Sequence, residues 1–467
     1  MKIAVIAPSA LPSRRANAIQ TVRMAHAFAR LGHEVVLIAY RSDAQIYSGE
    51  REMPSPPSPL PGGERGRILP SPLGRRVRDE GEGEFSSLLE GVEGMPSPPS
   101  PLPGGEGSVP SPPSPLPGGE GSVESPLSHL ANRDGWEILA QEYGLETRFE
   151  VRWLRARHWA RRYDFSLQAL WEALRWGADC LFTRLPQAAA WGSLIGKATI
   201  FEVHDLPRGG AARWFRLFLM GKGAKRTVAI STALAADLRV FFPELCNLKD
   251  GFLITAPDGV DLSRYTPLLS VSQARQRLRE SGWELPPGFI AGYTGHLYRG
   301  RGAELIVSLA AAVPEVHFLI VGGDGEQCRQ LEQQFASQAV DNYTLTGLVA
   351  PQQVPLFQMA SDALLMPYQA QVAASSGGDI ARYLSPMKLF EYLASARPIL
   401  ASDLPVLREV LTTKNAILLP LQEIGAWESA LRMLLRNPDR ARELAESARR
   451  TAEVHSWESR AERILAG

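Results

Sequence analysis

The chain has 467 residues, 45% of them hydrophobic and 21% charged, enough for a buried core and, at roughly 100–200 residues per domain, for two or three domains. Lys plus Arg and Asp plus Glu each number 50, so the formal net charge is zero and the global electrostatic footprint of a nucleic-acid binder is absent. Three widely spaced cysteines, Cys180, Cys246 and Cys328, argue against a disulfide framework or a cysteine metal site, and no run of about 18 apolar residues offers a membrane span; the expectation is a soluble, cytoplasmic protein.

Residues 2–7 (KIAVIA) form the apolar, β-branched run of a buried parallel strand. The opening MKIAVIAPSAL faintly resembles a secretion signal, but an amphipathic helix over 18–30 and a second strand over 33–39 follow it directly, which makes one βαβ unit of a doubly wound sheet. The pattern then breaks. MPSPPSPLPGGERG begins at Met53, with near-copies at Met95 and Val109, and proline and glycine at that density cannot fill a core. Residues 48–132 therefore read as a disordered insertion in a loop of the first domain, most simply an inserted repeat, although PxxP segments can also dock aromatic grooves.

Regular structure is expected again from Trp136, with strands over 179–183, 198–203 and 227–230. A second series follows, with strands over 289–293, 316–321, 363–366, 398–401 and 416–419 and helices over 303–312, 386–396, 404–411 and 457–465. This predicts an α/β protein of two doubly wound domains, 1–250 and 251–450, with a terminal segment, 451–467. Two stretches, 151–162 and 211–226, mix Arg and Lys with Trp and Phe. They read either as amphipathic faces resting on an anionic membrane or as solvated helical faces over the first sheet.

Three turns of the second half carry chemistry. In YTGHLYRGRG (residues 293–302), Gly295 lets backbone approach a phosphate at the strand's carboxyl end, and Arg299 and Arg301 supply fixed cations; a surface loop with solvated arginines is the plainer alternative. VGGDG (321–325), with Gly323, lacks the dinucleotide spacing and serves equally as an anion turn or a tight turn. In SPMKLFEYLASA (385–396), Ser385 is a good N-cap and Pro386 suits the first helical position. Lys388 then adds charge to the first turn and Glu391 lies one turn deeper, the pattern of a nucleoside diphosphate site or of an ordinary Lys–Glu surface pair. In the first half, FEVHD places His204 where a strand stops.

In this order, FEVHD, AIS at Ser231, APDGVDLSRYTP, YTGHLYRGRG, VGGDG, SPMKLFEYLASARPILASDLPVLREV and the terminal HSWESRA resemble the family 4 type of retaining glycosyltransferases with the GT-B fold. The similarity covers nearly the whole chain outside the insertion and is densest from residue 197 onward. It implies two Rossmann-like domains facing across a cleft, a UDP- or GDP-sugar donor held by the second domain, and a glycan, lipid-linked or small-molecule acceptor on the first. It further implies a final helix crossing back and no bound metal or cofactor beyond the co-substrate. Carried over by position, Arg301 and Lys388 neutralise the leaving diphosphate, Glu391 holds the ribose, and His204 lies near the donor sugar. Two positions depart from the family: His296 replaces an arginine, with Arg299 a candidate substitute, and Tyr383 replaces a glutamate, with Asp379 a candidate for the donor-sugar contact. The alternatives are a catalytically retired nucleotide-sugar binder and a sugar-nucleotide 2-epimerase of the same architecture. The epimerase would want more cleft carboxylates and histidines than His204, Asp205 and Glu202.

Overall fold

The computed structural model describes residues 1–13, 15–40, 135–155, 163–373 and 379–466. The proline- and glycine-rich stretch and residues 156–162 lie outside the described residues. The first sheet contains β1 (Lys2–Ala10), β2 (Glu34–Tyr40), β3 (Glu150–Leu154), β4 (Cys180–Thr183), β5 (Ala198–Val203), β6 (Ala224–Ala229) and β7 (Leu253–Thr255), in the order β3-β2-β1-β4-β5-β6-β7 with parallel neighbours throughout. The second contains β8 (Phe289–Thr294), β9 (Val316–Val321), β10 (Tyr343–Leu345), β11 (Ala363–Met366), β12 (Ile399–Ser402) and β13 (Ile417–Leu419), in the order β10-β9-β8-β11-β12-β13, again parallel. Strand order reverses between β1 and β4 in one sheet and between β8 and β11 in the other, and crevices for ligands open at such points.

The helices of the first half are α1 (Ala16–Arg30), α2 (Gly135–Tyr143), α3 (Tyr163–Trp176), α4 (Pro186–Leu194), α5 (Gly209–Met220) and α6 (Thr232–Phe241). Those of the second are α7 (Val271–Glu280), α8 (Ala303–Ala312), α9 (Gly325–Ser337), α10 (Val354–Ala360), α11 (Met387–Ala394), α12 (Ile424–Arg436) and α13 (Pro438–Glu453), and α14 (Trp457–Leu465) ends the chain. The central strands are almost wholly buried, as a parallel sheet covered on both faces requires. This is the architecture of two Rossmann-like domains. β7 lies beyond the expected boundary at residue 250 and closes the first sheet.

Three expectations are corrected. Val151 to Leu154 are not part of a membrane-facing helix; β2 recruits them as edge strand β3. The basic stretch 211–226 is divided at Gly221–Gly223 between α5 and β6. A Cβ on Gly223 would lie 2.1 Å from the Lys197 carbonyl oxygen, so only glycine fits where the chain turns between α5 and β6. Arg226, far from resting on lipid, is buried and donates to the carbonyl of Ile464 at 2.5 Å. Residues 404–411 form only a single 3-10 turn, Leu407–Glu409. Their helical spacing of Leu404, Leu407 and Leu411 reflects burial in the second core, while Pro405 and the β-branched Val406 and Val410 oppose a helix. Among the described residues no helix is long and apolar enough to cross a membrane.

The final helix leaves the second half and packs on the first. Trp457, Ala461 and Ile464 join the buried cluster that includes Val22, Ala25 and Phe28 of α1. Its entry is fixed by backbone: the N–H of Val260 donates to the carbonyl of His455 at 3.0 Å, and that of Trp457 to the carbonyl of Val260 at 3.1 Å. Arg460, 3% exposed, donates to Glu202 at 2.8 Å and to the carbonyls of Pro257 and Ala256. Removing one partner of a buried pair strands the other's charge, so Arg460→Met should cost about 3–5 kcal/mol of stability in urea titration, and Arg460→Met with Glu202→Gln markedly less.

Candidate functional site

β8 runs into a turn whose first residue, Gly295, has φ 133° and donates its N–H to the carbonyl of Val321 at 2.8 Å. A Cβ there would sit 3.3 Å from the Lys388 amine, so the glycine keeps that space open. Gly323 follows β9 with φ 89°, and a Cβ on it would meet Leu297 at 2.6 Å. The VGGDG turn is closed by its own side chain: Asp324 caps α9, accepting from the N–H groups of Glu326 and Gln327 at 3.1 and 2.8 Å, with Gln327 completing the capping box. A carboxylate therefore already occupies that helix N-terminus.

α11 starts at Met387, with Pro386 in the capping position and no side chain capping the first turn. Ser385 is thus not the N-cap expected from its chemistry. The residue before a proline is pushed toward extended backbone, and the Ser385 hydroxyl instead accepts from the N–H of Asp258 at 3.0 Å. Lys388 lies in this first turn. Its amine is buried, has no hydrogen-bond partner among the described residues, and sits 3.9 Å from the centroid of the Tyr293 ring and 5.1 Å from that of Tyr368. Burial, and then Arg301, hold its pKa well below the ordinary lysine value, against an opposing pull from Glu391.

Arg301 donates from Nη1 to the Tyr368 hydroxyl at 2.8 Å, while its buried Nε has no partner among the described residues. Lys388 and Arg301 thus converge on Tyr368. Arg299 does not join them: it is exposed, and its backbone carbonyl accepts from the N–H of Ala373 at 3.1 Å. His296 stacks on Tyr298, with centroids 5.0 Å apart, and burial lowers its pKa, as do Arg301 and Lys388.

Glu391, partly exposed, lies 3.7 Å from Arg264 Nη1 and accepts from Gln358 at 3.3 Å. Gln358 also donates to Thr294 Oγ1 at 2.9 Å and accepts from the Tyr265 hydroxyl at 2.5 Å. Asp379 uses Oδ1 to accept from the N–H groups of Val372 and Ala381, both at 2.9 Å, which pins the chain on either side of it.

His204 sits just past β5, with Nε2 2.5 Å from Glu202 Oε1. Burial, and then Arg184, lower its pKa to about 4, so the imidazole is neutral at physiological pH. Burial alone would raise the Glu202 pKa, but Arg460, His204 and Arg184 overcome it and hold the carboxyl well below its ordinary range. Arg184 continues the chain to Gln20 at 2.7 Å, and Gln20 donates to Asp258, whose carboxyl burial raises to about 6. Through Asp258 and Ser385 this network runs from His204 to the entry of α11.

Tyr293, Tyr368, Gln358 and Arg264 are the side chains that sequence reasoning missed. Arg264 lies within APDGVDLSRYTP and Tyr293 opens YTGHLYRGRG, so two carried a signal; Gln358 and Tyr368 carried none. No group of three or more His, Cys, Asp or Glu among the described residues is placed to hold a metal ion.

A buried amine with no partner is a standing cost. Lys388→Met should therefore stabilise the ligand-free protein by about 1–3 kcal/mol. Because the depressed pKa means the unfolded chain binds more protons than the folded one below the ordinary lysine value, wild-type stability rises with pH as that value is approached, and the gap should narrow in denaturation titrations carried toward alkaline pH.

Residues 288–437 match the family model described as glycosyl transferases group 1. Over 240 residues the chain is 23% identical to D-inositol 3-phosphate glycosyltransferase of Corynebacterium urealyticum, covering 48% of this chain and 53% of that relative, so the match spans about half the relative's length. Among solved structures, HepE of Anabaena in complex with UDP superposes with a TM-score of 0.60 at 12% identity, covering 99% of this chain and 98% of that one. A glycosyltransferase of Rickettsia africae gives a TM-score of 0.61 at 9% identity, covering 100% and 99%. At such identities the structural likeness shows the fold, which is of the GT-B type.

Proposed function

We propose that this chain, in which residues 288–437 form a glycosyl transferases group 1 domain, transfers a hexose from a nucleoside diphosphate sugar to a hydroxyl-bearing acceptor, with retention at the anomeric carbon. The observation that carries the reading is Lys388: a desolvated amine without a partner among the described residues, beside Arg301, at the carboxyl edge of β8 and β11. A buried amine with no acceptor is costly to keep, and a diphosphate would supply the missing charge and acceptors.

In this proposal the β-phosphate oxygens accept from Lys388 Nζ and from Arg301. The approach to Lys388 is kept open by Gly295 and the uncapped first turn of α11. As the glycosidic bond to the diphosphate breaks, negative charge grows on the departing oxygen, and two fixed cations in a water-poor site stabilise it more than they stabilise the intact donor. This assigns charge neutralisation to the protein's own side chains. Glu391 accepts from the ribose hydroxyls, with Gln358 and Arg264 holding its carboxylate in place. Neutral His204, oriented by Glu202, faces the donor sugar as a hydrogen-bonding group. UDP is the first nucleotide to try, because HepE, the structural neighbour, was solved with it.

The test is thermal stabilisation of the full chain by UDP-, GDP-, ADP- and TDP-sugars. One nucleotide series should raise Tm, and Lys388→Ala and Glu391→Ala should each abolish the rise; no shift with any of them at millimolar concentration would overturn the reading. The depressed lysine gives a second signature. A bound diphosphate raises the Lys388 pKa back toward its ordinary value, so affinity falls as pH climbs toward the lysine range. Calorimetry over a series of pH values in buffers of different ionisation enthalpy should detect proton uptake on binding that grows as pH rises.

A further inference from the structure

Tyr383 stands eight residues before Glu391, and the proposed function leaves it without a task. In the structure it turns away from the second half. Its ring is 8% exposed and belongs to the same buried cluster as Leu206, Phe215, Leu234 and Leu238 of the first half. Its hydroxyl donates to Asp237 Oδ2 at 2.5 Å. The neighbouring Arg382 forks onto the same carboxylate, Nε to Oδ2 at 2.7 Å and Nη2 to Oδ1 at 2.8 Å. Asp237 therefore receives three hydrogen bonds from two consecutive residues of the other half.

Asp237 is on α6, and the second half holds that helix at a second point. Glu409 accepts from the N–H groups of Thr232 and Ala233, at 2.7 and 3.1 Å, at the electropositive start of the helix. The two contacts to Asp237 differ in weight. Arg382 is largely exposed and its ion pair is screened, whereas the Tyr383 hydroxyl makes a charge-assisted bond at the edge of a packed core. The carboxyl of Asp237 is accordingly held below its ordinary range by Arg382 and Tyr383.

The segment carrying these residues leads into the site. It begins at Asp379, which pins it to its own half through Val372 and Ala381. It meets α6 at Arg382 and Tyr383, and the chain after β7 at Ser385, whose hydroxyl accepts from the N–H of Asp258. Pro386 and Met387 follow, and then Lys388. Three pins in seven residues leave little freedom in where α11 begins relative to the first half.

We propose that Asp237 is a positioning residue: through Tyr383 and Arg382 it latches α6 to residues 379–386, holding the two halves together and Lys388 at its station in the first turn of α11. The effect on nucleotide binding rests on the reading of Lys388 as a diphosphate contact; the latch itself does not.

The experiment pairs two measurements on the full chain. Hydrogen–deuterium exchange without ligand should show amides of both α6 and residues 379–394 exchanging faster, by about tenfold or more, in Asp237→Asn and in Tyr383→Phe, with β4 and β9 unchanged. Arg382→Ala should change less, and Asp237→Glu should recover part of the protection. Calorimetry with UDP and GDP should then show several-fold weaker binding in Asp237→Asn. Exchange unchanged in either element, in variants with native circular dichroism, overturns the latch. Faster exchange with unchanged nucleotide affinity overturns the positioning role. If the wild type binds neither nucleotide, the donor reading fails, and the exchange alone decides the latch.

Discussion

The pair between Arg460 and Glu202 is the contact on which the arrangement of the two halves rests. Both side chains are almost completely removed from water, which costs several kcal/mol per ion unless every donor and lone pair is answered. Here the remaining groups find partners: Arg460 reaches the carbonyls of Pro257 and Ala256, and Glu202 also bonds His204. The same guanidinium thus holds the last helix, the crossover after β7 and the end of β5. Loss of that one cation would free three elements at once.

The buried polar groups around the candidate site fall into two sets. His204, Glu202, Arg184 and Gln20 form a continuous chain of partners in the first half. Across from it, Lys388 and the Nε of Arg301 are buried with no partner among the described residues. Native structures rarely leave such groups unanswered, and a cation left so against two tyrosine rings is stabilised only in part by their electron-rich faces. In the proposed function, an anionic diphosphate answers both groups.

The glycine-containing turns show how similar sequences meet different ends. Gly295 makes room beside an amine, whereas Gly323 serves a turn whose aspartate has already satisfied the helix it opens. Arg299 and Arg301 stand two residues apart with the same charge. Gly300 lies between them, held against the chain at Gln371, so one side chain faces Tyr368 and the other faces water. Charge and spacing alone do not distinguish the two; the packing of the turn against the following strand does.

The sequence by itself determined the two βαβ series and most of their strands, because buried parallel strands read as near-continuous apolar runs: 198–203, 316–321 and 363–366 coincide with β5, β9 and β11, while the short or edge strands β3, β7 and β10 carry no such run. It also placed Gly295 and Arg301 in the turn after β8 and Lys388 and Glu391 on one helix, α11, because a strand-ending glycine and a proline-led helical pattern are both local signals. It misread 151–154 and 404–411, where an amphipathic composition is shared by an edge strand, a buried single turn and a helix, and only the partner across the sheet or core separates them. Tertiary structure alone decided that Ser385 meets the chain after β7 at Asp258, that Tyr383 packs into the opposite half, and that Gln358 and Tyr265 support Glu391. Each of these depends on residues distant in sequence meeting in space, and a local pattern carries no record of what lies across a domain boundary.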